Sequence, residues 1–184
     1  MLGRFATVMG AVAMVGTMAV GAQEKTVMVG GAAMYPSKDI VDNAVNSKDH
    51  TTLVAAVKAA GLVETLKGAG PFTVFAPTNA AFTKLPAGTV DTLLQPANKA
   101  MLTSVLTYHV VAGKHDAKTL MAKAREGKGK AELKTVSGEV LSVVWKDNKL
   151  WLQDGKGTIA GITTADVFQS NGVIHVIDTV VMAK

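Results

Sequence analysis

The sequence predicts an α+β fold, with helices in the first half of the chain and strands in the second. Three observations carry that prediction. Between residues 36 and 106, apolar residues recur every three or four positions, the spacing of a helix face. From residue 133 onward the apolar runs are short and rich in β-branched and aromatic residues. Between these regions, Gly70-Pro71-Phe72-Thr73-Val74-Phe75-Ala76-Pro77-Thr78-Asn79-Ala80-Ala81-Phe82 reads as a strand, a breaker and a helix start. Helices followed by strands, instead of alternating with them, point away from a βαβ repeat.

Arg4, the uncharged run over residues 5–20 and the small residues Gly21 and Ala22 read as a secretory signal peptide, residues 1–22, cleaved before Gln23. The run is shorter than the roughly 20 residues of a spanning helix, and Gly10, Gly16 and Gly21 interrupt it. Residues 23–35 are expected to be an N-terminal tail and residues 36–184 one domain. No later stretch is apolar enough to span a bilayer, so an integral membrane protein is not expected. The 162 residues after the leader can bury roughly 70% of their unfolded surface. The absence of cysteine leaves the core to hold an exported fold without disulfides. No Asn-x-Ser/Thr acceptor occurs. These features suit a bacterial periplasmic or secreted protein.

The elements follow in order. Pro36-Ser37 starts a helix with Ile40, Val41, Ala44 and Val45 on one face. Asp49 is placed to cap a second, whose face is Leu53, Val54, Val57 and Ala60, ended by Gly61. Residues 62–66 add a helical turn. Phe72, Val74 and Ala76 alternate with Thr73 and Phe75 in a strand that Pro77 ends, having no N–H for the ladder. Thr78 or Asn79 caps the helix carrying Phe82. Val90, Leu93 and Leu94 mark a short helix. Pro96 precedes another, with Met101, Leu102, Val105 and Leu106 as its buried face. Residues 108–111, 133–136, 140–145 and 150–152 read as strands. Asp147-Asn148 turns between the last two, and Trp145 and Trp151 cover the same sheet. Asn171-Gly172 turns into a last apolar strand, residues 173–181.

Three segments, residues 70–82, Tyr108-His109-Val110-Val111-Ala112-Gly113-Lys114 and Asn171-Gly172-Val173-Ile174-His175-Val176-Ile177-Asp178, resemble in order and spacing the signature motifs of the fasciclin-like domain family. The resemblance covers roughly residues 36–182. It implies a wedge of two small β-sheets with helices packed at one side, in a single-domain member, since no internal repeat is present. It also implies a non-enzymatic adhesion or interaction module binding a cell-surface or extracellular partner. In animal matrix members the Tyr-His motif is implicated in adhesion, so Thr78, Asn79, Tyr108 and His109 are candidate partner-binding residues. Some relatives instead carry a small apolar ligand in a groove, the alternative reading. The ending after Asp178 departs from the Leu-Leu-Pro of many relatives.

The residues themselves offer little catalytic chemistry. There is no Gly-x-Ser-x-Gly elbow. His109 and His115 lie six apart and His175 and Asp178 three apart, and neither spacing is a zinc pattern. Gly155-Lys156-Gly157-Thr158 lacks the setting of a phosphate loop and reads as a hairpin. No enzyme activity, cofactor or metal is expected. His109 and His175, inside apolar runs, read as buried neutral imidazoles, with Thr78 and Asn79 as candidate partners for His109; surface recognition is the other reading of Tyr108-His109. The charge is lopsided. After the leader, 18 basic residues face 14 acidic ones, and residues 114–134 alone hold seven basics against three acids. The whole excess of +4 sits there, with Lys123, Arg125, Lys128 and Lys130 at its centre. The segment is either a solvated, mobile connection or a patch for an acidic protein, an anionic glycan or lipid headgroups. Nucleic acid is not expected, with so few aromatic residues to stack on bases. A monomer is expected.

Overall fold

The computed structural model describes residues 25–184. The expected leader over residues 1–22 lies outside them. Part of the expected tail is not a tail: β1 (Val27–Val29) and β2 (Ala32–Met34) form a hairpin turned by Gly30 and Gly31, both at positive φ. A Cβ at Gly30 would collide with Ser47 Oγ, so the turn seats closely on the following segment. Val29 and Met34 are buried in the core beneath.

Asp39 caps α1 (Ile40–Ala44), its carboxylate accepting from the Asp42 N–H at 2.8 Å. The helix starts later than Pro36 because Asp39 is extended, as a cap must be. Ile40 and Val41 are buried, but Val45 lies one residue past the helix and is exposed. A 3₁₀ turn, Lys48–His50, precedes α2 (Thr51–Ala60), so Asp49 sits within that turn and does not cap the helix. Leu53, Val57 and Ala60 face inward and Gly61 ends the helix at φ 71. After α3 (Val63–Lys67) come β3 (Phe72–Pro77), α4 (Asn79–Thr83), α5 (Thr89–Leu94) and, beyond a 3₁₀ turn at Pro96, α6 (Lys99–Tyr108). Leu102, Val105 and Leu106 bury the inner face of α6, whereas Met101, expected with them, is 59% exposed. The helix runs through Tyr108, so β4 (Val110–Ala112) is shorter than expected.

α7 (Ala117–Glu126) leads into β5 (Lys130–Lys134), β6 (Val140–Lys146), β7 (Lys149–Gln153), β8 (Ile159–Gln169) and β9 (Gly172–Ile177). Asp147 and Asn148 turn β6 into β7 with φ 53 and 60, as a two-residue hairpin requires. The strand order is β4-β3-β9-β8-β7-β6-β5, with β3 and β9 parallel and the other pairs antiparallel. β8 belongs to two sheets. Residues 159–161 pair with β7, and residues 162–169 pair with β9 across two register shifts that bend the strand. At the far edges, the Val136 N–H donates to the Val110 carbonyl at 2.8 Å and Val111 bridges Thr135. The two sheets therefore meet on both sides as a wedge.

Two cores result. Phe75, Tyr108, Leu120, Leu141, Leu152 and Val181 fill the wedge. Val74, Ala76, Ile174 and Val176 face outward beneath α1–α6. The alternation read in β3 is thus an alternation between two cores, not between core and solvent.

Candidate functional site

The turn after β3 is held by its own side chains. Thr78 caps α4, its hydroxyl accepting from the Ala81 N–H at 3.2 Å. Asn79 is occupied at both ends: Oδ1 accepts from the Thr52 N–H at 3.1 Å, and Nδ2 donates to the Lys48 carbonyl at 2.9 Å. It ties α4 to the start of α2. Neither residue reaches His109.

Tyr108 and His109 are inside the protein. Tyr108 is 0% exposed; its hydroxyl donates to the Val140 carbonyl at 2.9 Å and accepts from the Gly155 N–H at 3.3 Å. It thereby joins α6 to the start of β6 and to the loop after β7. His109 is 2% exposed and stands at the end of α6, not in a strand. Its Nδ1–H donates to the Val105 carbonyl at 2.7 Å, and Nε2 accepts from the Val181 N–H at 3.3 Å. Backbone atoms, not Thr78 or Asn79, are its partners. Burial holds its pKa down to about 4, against the opposing pull of the Val105 carbonyl and Asp154, so the ring is neutral at physiological pH. His175 is likewise enclosed: Nε2–H donates to the His115 carbonyl at 2.8 Å, the Asp166 N–H reaches Nδ1 at 3.3 Å, and the ring stacks on Phe75. Both imidazoles spend both nitrogens on the fold.

The sequence reading did not single out Ser47 and His50. Ser47 Oγ lies 2.9 Å from His50 Nδ1, a nucleophile–base distance, but both side chains are buried and Gly30 covers the serine. Among the described residues, no three His, Cys, Asp or Glu side chains gather as metal ligands. His50 Nε2 has no well-formed hydrogen bond, with the Ala76 carbonyl as its neighbouring acceptor, and its ring lines an apolar cavity between α1–α3 and the first sheet. Leu53, Val57, Leu66, Val74 and Ile174 also line it, around about 50 Å³ of free space.

The basic segment is ordered and turned outward. Asp116 caps α7 through the Thr119 N–H at 2.7 Å, and Leu120 and Ala124 anchor the helix in the wedge. The Gly127 N–H bonds to Lys123, that of Lys128 to Arg125 and that of Gly129 to Ala124, and the Gly129 carbonyl accepts from the Trp145 N–H at 2.8 Å. A hydrogen-bonded helix end thus stands where a mobile connection was one expectation. Lys114, Lys118, Lys123, Arg125, Lys128, Lys130 and Lys134 are all exposed. The ion pairs among the described residues, Lys67–Asp42 and Lys84–Asp178, include none of them. Arg125 lies over the Trp145 ring at 5.1 Å and Lys114 over Phe168 at 4.9 Å, cation–π contacts that leave the charges at the surface.

Comparison with known proteins agrees with this architecture. A fasciclin domain family model matches residues 48–183. Protein sll1483 of Synechocystis is 49% identical over 159 residues, 86% of this chain and 81% of that protein. Cell surface glycolipoprotein MPB83 of Mycobacterium bovis is 36% identical over 159 residues, 84% of this chain and 63% of that protein. Among solved structures, a FAS1 domain pair from the insect cell adhesion molecule Fasciclin I matches with a TM-score of 0.71 at 18% identity. The match covers 80% of this chain and 52% of that one, so the likeness is one of fold and spans about half of the pair. Among the described residues, no helix is long and apolar enough to cross a membrane.

Proposed function

The chain belongs to the fasciclin domain family, and on that premise we propose that it is an exported, non-enzymatic adhesion module, freed of its leader after Ala22, that engages an anionic partner at the cell surface. The observation that carries the reading is the set of seven exposed cations, three on the anchored α7 and four on the chain before it, after it and along β5, none in an ion pair among the described residues. A rigid field of one sign attracts an oppositely charged surface and weakens with salt, because exposed charges are screened beyond about 8 Å at physiological ionic strength. Relatives and structural neighbours described as a cell surface glycolipoprotein and a cell adhesion molecule support the same setting. The test is adsorption to anionic glycans across a salt series. Wild type binds and is released by salt, and K123E/R125E/K128E/K130E does not bind. Equal, salt-independent adsorption by both refutes the patch.

A second reading, a carrier of a small apolar ligand, draws on the cavity that the His50 ring lines among apolar side chains. Its free space is well below the roughly 300–1,000 Å³ of ordinary ligand sites, so a carrier would have to part α2 from the sheet. A visible absorbance band in protein purified from its native source favours this reading over adhesion.

A further inference from the structure

The wedge leaves one sheet face without a helix on it. Lys130 pairs with Val144, Val144 with Trp151, and Trp151 with Gly161, so these four form one row across β5–β8. Their sequence neighbours Val143, Leu152 and Ala160 point into the wedge core, which puts the row on the outer face. Lys146 and Lys149 pair in the next position along the same face. All three lysines are exposed and none forms an ion pair.

Trp151 is held flat at the centre of this row. Its ring lies over Gly161, where a Cβ would come 3.3 Å from Cζ3, and its indole N–H donates to the Lys146 carbonyl at 3.3 Å. A larger residue at 161 would lift the ring off the sheet. On the far side, Asp178 is engaged with the Gly161 N–H, the Thr179 hydroxyl and Lys84, so its charge is partly spent within the protein. Glu132 and Gln153 occupy the adjacent row. The result is a flat aromatic surface, half-buried and fixed at its edge, with Lys146, Lys149 and the turn's Asp147 at one end and the exposed Glu132 carboxylate and Gln153 in the adjacent row. A membrane would call for an apolar side chain projecting from the surface, whereas this ring is laid along the sheet.

We propose that the outer face of β5–β8 binds acidic polysaccharide, with Trp151 stacked on a pyranose ring while Lys130, Lys146 and Lys149 pair with its carboxylates. The inference rests on the adhesion reading above and names the chemistry of the partner. Lys146 and Lys149 lie outside the basic segment of the sequence; the β6–β7 hairpin lays them beside β5, the strand in which that segment ends.

The probe is polygalacturonate, with its methyl ester as the uncharged control and phosphatidylglycerol vesicles as the lipid arm. Retardation in affinity gels and quenching of tryptophan fluorescence are read for wild type, W151A and K146Q/K149Q. Wild type is expected to bind polygalacturonate with quenching and to ignore the ester and the vesicles. W151A and K146Q/K149Q should each bind about tenfold more weakly. If W151A does not fold, as judged by circular dichroism, K146Q/K149Q decides, since its changes are confined to exposed side chains. Undiminished binding by these variants, with K123E/R125E/K128E/K130E still inactive, overturns this site and leaves the adhesion reading standing. Binding to vesicles in place of polygalacturonate also overturns it, in favour of a membrane surface. Failure of wild type to bind either probe removes both.

Discussion

His109 shows how a motif residue can be legible as important and illegible in its role. Its apolar neighbours predicted burial, and burial is what the structure shows. Its partners were beyond reach of the sequence because they are backbone atoms, one a helical turn back at Val105 and one 72 residues away at Val181. Any residue type can supply such an atom. Tyr108 follows the same rule, bonding the backbone of Val140 and Gly155. The consequence is measurable. His109→Ala leaves the buried Val181 N–H without an acceptor and should cost about 1–3 kcal/mol. The pH dependence has a definite sign. Because the folded pKa is depressed from 6.5 to about 4, the unfolded chain binds the proton more readily between those values. The stability from neutral His109 is therefore complete above about pH 6.5 and declines as pH falls towards 4, by about 3 kcal/mol in all. Burial also lowers the pKa of His50 and His175, so they add slope in the same direction. Urea midpoints at pH 7 and pH 5 should differ more in wild type than in His109→Gln; parallel profiles would mean His109 does not titrate on unfolding.

At the scale of an element, α7 separates the two tasks that its composition mixes. Leu120 and Ala124 hold it in the wedge, and the cations occupy the remaining faces. Leu120→Ala should cost about 2–5 kcal/mol, the range for truncating a fully buried leucine. K123E/R125E/K128E/K130E should cost no more than about 1–2 kcal/mol, through lost helix-dipole and cation–π contributions near Trp145. Denaturant midpoints of the two variants decide it, and a larger loss from the charge reversal would make the basic face structural. Elements with an uninterrupted local pattern were readable: β3 from its alternation and proline stop, α4 from its threonine cap, the β6–β7 hairpin from Asp147-Asn148. β8 was not, because its two register shifts break the period-two pattern over residues 162–167. The β1–β2 hairpin was not, because three-residue strands carry too few positions for any period to show. Trp145 and Trp151 share a sheet, as expected, but their register puts them on opposite faces.

The whole molecule raises the question of whether two cores make one folding unit or two. The outer core lies between α1–α6 and β3, β8 and β9. The wedge core lies between those strands and β5–β7, closed by α7. The strands between them are shared: Phe75 serves one core and Val74 and Ala76 the other, and β8 runs through both sheets. Loss of either core would expose one full face of β3 and β9, which are buried along almost their whole length. Such a state would expose large apolar area at roughly 25 cal/mol per Å², with little gain in chain entropy from strands still paired. The molecule should therefore unfold in a single step. Its two tryptophans, Trp145 and Trp151, both lie in β6 and β7 and report on the wedge, whereas most of the helix lies over the outer core. Urea transitions followed by tryptophan fluorescence and by helical circular dichroism should coincide in midpoint and slope. A fluorescence transition that precedes the loss of helix would show that β5–β7 and α7, with the basic face they carry, open independently of the rest.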